Sequence, residues 1–109
     1  MWISNAGFAD IFIVFARIED DKNITAFIIP NDPKNGLELG EEEKKLGIHS
    51  SSTRQVFFSN TKVPVENLLG ERNGGFKIAM NALNVGRIKL GAGNLDGQRR
   101  SISISTDYA

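Results

Sequence analysis

The residues with the clearest chemical potential stand at the start of the sequence, in the segment Trp2-Ile3-Ser4-Asn5. Trp2 is the single tryptophan, and its flat indole offers a large contact area to another flat ring. The Ser4 hydroxyl, two residues later, is able to donate a hydrogen bond to a ring nitrogen. On residue type alone a structural role is the commoner one for such a tryptophan, so this segment is a candidate that needs support from elsewhere in the sequence.

The titratable residues of the sequence offer little for proton or metal chemistry. Cysteine is absent and His49 is the only histidine, which excludes disulfides, thiolate nucleophiles and histidine clusters. Glutamates 41–43 belong to a charge run typical of a solvated face, while Glu66 and Glu71 stand in loop segments. We therefore predict no general base and no metal site here. The 13 basic residues balance the 13 acidic ones, which argues against nucleic acid and anionic membranes as partners.

Two further motifs have weaker claims to a functional role. The hydroxyl-rich stretch Ser50–Thr53 could contact the polar groups of a ligand, but such hydroxyls more often satisfy their own backbone. The stretch ERNGGF at 71–76 resembles a phosphate-binding loop only loosely, since it lacks the Gly-Lys-Ser/Thr ending. We predict a turn that leads into a helix at this point.

The elements that would position these residues change character near residue 74. Before it, short β-branched and aromatic runs at 11–18, 24–30 and 56–58 predict buried strands, the first two joined as a hairpin. A shorter alternating strand is predicted at Leu37–Leu39, closed by Gly40. These runs predict a small antiparallel β domain over the first part of the chain.

From Gly75 onward the apolar residues follow a helical spacing on two faces: Phe76, Ala79, Met80 and Leu83 on one, and Ile78, Ala82 and Val85 on the other. A helix that is apolar on two sides is normally covered on two sides. The run SISIS at 101–105 alternates like a strand, but no turn signal follows it, so a continuous helix is favoured. No apolar run reaches the length of a membrane span and no signal peptide is evident, which makes a cytoplasmic location the expectation.

Several of these segments together resemble the acyl-CoA dehydrogenases. WISNAGFADIFIVFAR, ITAFIIP, KLGIHSSSTRQVFF and KVPVENLLGERNGGFKIAMNALNVGRI follow one another in the order and spacing of that family, from Trp2 to about Ala109. The resemblance implies a fragment of a three-domain α+β enzyme. Residues 1–73 would form the middle domain, a small antiparallel β-barrel or orthogonal β-sandwich, and residues 74–109 the truncated first helix of the C-terminal helical domain.

The resemblance also implies a function and a set of site residues. Family members hold FAD and dehydrogenate acyl-CoA thioesters in fatty acid β-oxidation: a glutamate removes the α-proton, and the β-hydrogen leaves as hydride to flavin N5. Electrons then pass to an electron-transferring flavoprotein, and the enzymes are homo-oligomers. The matching positions are Trp2, Ile3 and Ser4 for the flavin, and Asn84, Val85, Gly86 and Arg87 for the acyl-CoA.

The residues that are missing also bear on function. Some family members carry their catalytic glutamate at the position of Gly86, so the base of this protein would have to come from outside these residues. The family's other flavin-holding segments are absent too, and we expect the isolated chain to be inactive and to bind FAD weakly or not at all. An ordinary structural arginine remains an equal alternative for Arg87. The same scaffold also serves acyl-CoA oxidases and flavin monooxygenases, and a non-catalytic β module for assembly or binding is the remaining alternative.

Overall fold

The computed structural model describes all 109 residues, which fall into two units, Met1–Gly75 and Phe76–Ala109. The first unit is built of short strands and the second of one helix. The strands are β1 (Trp2–Ser4), β2 (Ile11–Ala16), β3 (Thr25–Pro30), β4 (Leu37–Glu42), β5 (Thr53–Phe58) and β6 (Leu68–Leu69), and the helix is α1 (Gly75–Tyr108). Short 3₁₀ turns at Pro33–Asn35 and Val65–Asn67 lie between strands.

The six strands form two three-stranded antiparallel sheets, in the orders β1-β5-β4 and β2-β3-β6. The predicted hairpin is present: β2 and β3 pair from Ile11 opposite Pro30 to Ala16 opposite Thr25. The prediction of a small antiparallel β domain followed by a C-terminal helix is confirmed. The sheets do not close into a barrel, so the barrel form of that prediction is not what the chain adopts.

The core of the first unit is a cluster of buried side chains drawn from both sheets and from the turn after β1: Ala6, Phe12, Ile29, Leu37 and Val56. The prediction that the first apolar run is a buried strand is only half right. Phe12 is buried, but Ile11, Ile13 and Phe15 are 55%, 46% and 37% exposed. The reason is that β2 is an edge strand whose successive side chains point to opposite faces, and only one face reaches the core.

Helix α1 is continuous through the run SISIS, as predicted. Its apolar residues are uncovered over most of its length, because every residue from Asn81 onward is exposed. No helix of the structure combines the length and the apolar character that a membrane span requires.

Candidate functional site

Strand β1 lies at a sheet edge and leaves the main-chain polar groups of two of its three residues free. It pairs with β5 only, with Trp2 opposite Gln55 and Ser4 opposite Thr53. Met1 and Val56 exchange hydrogen bonds in both directions, at 3.3 and 2.8 Å. Because hydrogen-bonded and non-hydrogen-bonded pairs alternate in an antiparallel ladder, the N–H and C=O groups of Trp2 and Ser4 point away from β5. These groups are therefore open to a ligand.

The three side chains of β1 divide between the two faces of the strand. Trp2 is 62% exposed and Ser4 is also exposed, whereas Ile3 is half-buried and packs against the core cluster. Successive side chains of a strand point to opposite faces, so Trp2 and Ser4, two positions apart, share the exposed face. The structure thus brings Trp2 and Ser4 together at the edge, while Ile3 anchors the strand that carries them.

The indole of Trp2 is held by a residue that the sequence did not single out. Its Nε1–H donates a 2.6 Å hydrogen bond to Oε1 of Glu43, which is 41 positions away in the chain. Glu43 lies just beyond β4, and its own N–H donates to the carbonyl oxygen of Thr53 at 2.9 Å. In the sequence Glu43 is one of three consecutive glutamates, and no local pattern distinguishes it from its neighbours.

A mainly apolar cavity of about 470 Å³ opens beside β1. Ile3 and Ser4 line it on one side, and the free edge of β2 contributes Ile11, Ile13 and Phe15. The cavity is therefore bordered mainly by apolar residues of two edge strands, with the Ser4 residue among them. Ligand sites commonly combine a mostly apolar lining with a few polar groups.

Two hydroxyls of the stretch Ser50–Thr53, those of Ser52 and Thr53, are occupied with contacts inside the protein. Ser52 is 4% exposed; its hydroxyl donates to Oε2 of Glu42 at 2.7 Å and accepts from the N–H of Gly7 at 3.2 Å. The Thr53 hydroxyl accepts from Nζ of Lys45 at 3.0 Å. These contacts favour the structural role over ligand contact for this stretch.

Glu42 is the centre of that network and has the most altered environment among the carboxylates of this region. The N–H of Thr53 donates to its Oε1 at 2.6 Å, and Nε of Arg54 lies 3.1 Å from its Oε2. The backbone hydrogen bond from Thr53, followed by the Ser52 hydroxyl and Arg54, lowers the pKa of Glu42. A carboxylate held in its ionised form by three donors is suited to structure and unsuited to proton transfer.

The second group of predicted residues lies on one exposed stretch of α1, Asn84 to Arg87. Nη1 of Arg87 donates a 3.2 Å hydrogen bond to Oδ1 of Asn84, one turn earlier. Gly86 has no atom within 4 Å of the point where a Cβ would stand, so the helix surface is open there. The structure contains no group of histidines and carboxylates that could hold a metal ion.

Comparison with known proteins places the chain among related sequences and structures. Residues 1–61 match the family model for the middle domain of acyl-CoA dehydrogenases. A probable acyl-CoA dehydrogenase of Bacillus subtilis (strain 168) is 46% identical over 108 residues, which are 99% of this chain and 18% of that protein.

Two solved structures show the same likeness in three dimensions. An acyl-CoA dehydrogenase from Bacillus anthracis, in a structure described as complexed with FAD, matches with a TM-score of 0.84 at 48% identity, over 99% of this chain and 18% of that one. Butyryl-CoA dehydrogenase from Megasphaera elsdenii matches with a TM-score of 0.72 at 50% identity, over 80% of this chain and 23% of that one. The chain thus spans less than a quarter of the length of each of these relatives.

Proposed function

The chain belongs to the acyl-CoA dehydrogenase family, and we propose on this basis that it forms part of an FAD-dependent enzyme that dehydrogenates acyl-CoA thioesters between the α- and β-carbons. Residues 1–73 would be its middle β domain and residues 74–109 the first helix of its C-terminal helical domain. The observation that carries the proposal is the open edge of β1, which presents an exposed indole, a hydroxyl and free main-chain groups, and whose Ile3 and Ser4 line an apolar cavity.

The residues at this edge fit a flavin. An isoalloxazine ring is flat and apolar on its faces but carries hydrogen-bonding atoms along its rim. The exposed Trp2 indole supplies a flat surface for a face, and the Ser4 hydroxyl and the outward N–H groups supply donors for the rim. Trp2 and Ser4 would hold the ring directly, and Ile3 would support the strand from the core side.

The chain's own residues would bind and orient, and would not move the substrate proton. A flavin supplies the hydride acceptor when it is bound, and the protein tunes that chemistry through the contacts it makes with the ring. Asn84, Val85, Gly86 and Arg87 would line the acyl-CoA, with Arg87 oriented by its bond to Asn84. Gly86 provides no carboxylate where some family members have the base, so the base would come from another part of the enzyme.

The proposal extends to partners. The substrate would be an acyl-CoA, the electrons would pass to an electron-transferring flavoprotein, and the whole enzyme would be a homo-oligomer. The 109 residues alone would be inactive, because they lack the base and the other flavin-holding segments.

A titration of the chain with FAD tests the proposed cofactor site. Trp2 is the only tryptophan, so quenching of its fluorescence reports a flavin bound within energy-transfer distance of β1. We expect weak but saturable quenching. Calorimetry on a Trp2→Leu variant should show binding about tenfold weaker, since an aromatic pair contributes up to about 1.5 kcal/mol beyond area burial. Phe8→Leu is the matched control, because Phe8 is an exposed aromatic residue that does not belong to β1.

A chimera tests the proposed activity. Residues 1–109 would replace the matching 18% of the Bacillus subtilis relative, and the product would be assayed with acyl-CoAs of several chain lengths and an artificial electron acceptor. We expect flavin content and turnover in the chimera, and reduced flavin content with Trp2→Leu. A folded chimera that holds no flavin, together with no quenching in the isolated chain, would overturn the proposal.

A further inference from the structure

The hydrogen bond between Trp2 and Glu43 is a side-chain contact across 41 positions of the chain and has no part in the proposed function above. The donor is the single polar atom of the indole, and the acceptor is a carboxylate oxygen 2.6 Å away. A donor bound to an ionised acceptor makes a shorter and stronger bond than a neutral pair. The bond lies on the protein surface, where the core does not require it.

Without this bond, little would fix the plane of the indole. Trp2 is 62% exposed and stands on an edge strand of three residues. Its neighbour Ile3 packs against the core, but Trp2 itself is not among the residues packed there. An exposed side chain with two free torsions samples several rotamers, and a ligand that needs one of them loses affinity accordingly.

Glu43 is itself fixed in relation to β1. Its N–H donates to the carbonyl oxygen of Thr53 at 2.9 Å, and Thr53 stands opposite Ser4 in the β1–β5 register. The indole is thus tied back, through Glu43 and β5, to the strand from which it projects. This closed path fixes the main chain of Glu43, from which the carboxylate reaches the ring.

The neighbouring glutamates have different surroundings. The carboxylate of Glu42 is engaged by Ser52, Thr53 and Arg54. Glu41 is exposed and forms no ion pair. Of the three, only Glu43 reaches the indole, so the same substitution at Glu41 is a matched control.

We propose that Glu43 is a positioning residue that holds the Trp2 indole in the orientation that receives the flavin, a role that rests on the proposed function of β1. Glu43 acts through Trp2 and needs no contact with the cofactor. Its carboxylate restricts the indole before the ligand arrives, so that less conformational entropy is lost on binding.

The test is nuclear magnetic resonance on the isotope-labelled chain, in which the one indole N–H signal belongs to Trp2. In the wild type we expect an order parameter near that of rigid groups, about 0.85, and in Glu43→Ala a value below about 0.6. Addition of FAD should shift the signal in both, with affinity about fivefold weaker in Glu43→Ala, as expected when one side chain must be immobilised on binding. Glu43→Gln keeps an acceptor oxygen and should restore most of the order, and Glu41→Ala should match the wild type.

The outcomes separate this proposal from the proposed function. If FAD shifts the indole signal equally in wild type and Glu43→Ala, and the order parameters agree, the positioning role is overturned while the flavin site stands. If FAD shifts the indole signal in neither wild type nor Glu43→Ala, and the chimera also holds no flavin, the flavin site is overturned and the positioning role with it. Equal denaturation midpoints for wild type and Glu43→Ala would show that any change in order is local to the indole.

Discussion

Three neighbouring glutamates show how differently residues of one type behave in this protein. Glu42 organises a buried hydroxyl, a backbone N–H and an arginine, and Glu43 holds an indole. Glu41 is exposed and unpaired with any cation. The charge run at 41–45 was predicted to be a solvated face. Glu41 and Glu42 are exposed, but Glu42 and Glu43 also make specific hydrogen bonds that the prediction did not include.

The network at Glu42 makes stability depend on pH. Hydrogen bonds from Thr53, Ser52 and Arg54 lower its pKa from the ordinary value of 4.5, so the folded state favours the ionised carboxylate. A group with a lowered pKa in the folded state contributes stability above its unfolded pKa, and that contribution disappears as pH falls through the folded value. Wild type should therefore be more stable than Glu42→Gln near neutral pH, and the difference should shrink as pH falls below 4.5.

Urea unfolding of wild type and Glu42→Gln over a pH series measures this difference. Glu41→Gln is the control, since Glu41 forms no ion pair, and it should track the wild type at every pH. A Glu42→Gln difference that stays constant through the acid range would show that the ionised form is not what the network stabilises.

Among the elements, the start of α1 is set by close backbone contact with β3. The N–H of Gly75 donates to the carbonyl oxygen of Ile24 at 2.9 Å, and the N–H of Asn73 donates to the hydroxyl of the fully buried Thr25 at 2.9 Å. Arg72 adds a two-pronged ion pair with Asp21, at 2.7 and 3.0 Å. The stretch that resembles a phosphate loop in sequence is thus a tether between the hairpin and the first residue of the helix.

A methyl group at Gly75 should break this tether. A Cβ there would stand 2.8 Å from the Ile24 carbonyl oxygen and 3.0 Å from the carbonyl carbon of Thr25, so main chain would have to move. We expect Gly75→Ala to lower the free energy of unfolding by about 1–3 kcal/mol, the usual cost of overpacking. Urea unfolding followed by circular dichroism measures this, and Gly47→Ala, where a Cβ meets nothing within 4 Å, should change it by less than about 0.5 kcal/mol.

The last turns of α1 show how the strand-like alternation at residues 101–105 is accommodated in a helix. In the run SISIS and just after it, Ser101 donates to the carbonyl oxygen of Gly97 and Thr106 to that of Ile102, both at 2.9 Å. Hydroxyls that bond four residues back are accommodated within a helix. No strand of either sheet is available to pair with this run. As an unpaired strand, it would leave its main-chain N–H and C=O groups without hydrogen-bond partners.

At the level of the whole molecule, the exposed apolar residues of α1 indicate association between copies. Five exposed apolar residues follow one another at intervals of three or four positions, except that Arg99 interrupts the series: Val85, Ile88, Ala92, Leu95 and Ile102. Apolar residues with this spacing form the seam of paired helices. We expect the chain to reach about twice its monomer mass of 12.0 kDa in concentrated solution.

Sedimentation equilibrium of two variants tests this association. Leu95→Lys places a charge in the seam and should weaken it more than tenfold, because burial of one leucine stabilises by about 1.5–3 kcal/mol. Asn94→Lys adds the same charge to an adjacent exposed position outside the seam and should leave it unchanged. A wild type that remains monomeric, or equal effects of the two lysines, would contradict association through this seam.

The sequence by itself determined the kinds of elements and the first candidate residues. The strand hairpin, the helix from Gly75 and the Trp2–Ser4 segment follow from periodicity, turn residues and a family resemblance, since backbone preferences act over a few positions. The division of the domains and the role of each β1 and α1 site residue remain predictions.

Only the tertiary structure decided which side chains meet and which stay exposed. The partnership of Trp2 with Glu43, the use of Ser52 inside the protein and the exposure of Ile13 on β2 depend on strand order and register. Register brings together residues some 40 positions apart, and a shift of one residue would exchange the two faces of a strand. No local pattern carries that information, because the pairing energy arises between segments and not within them.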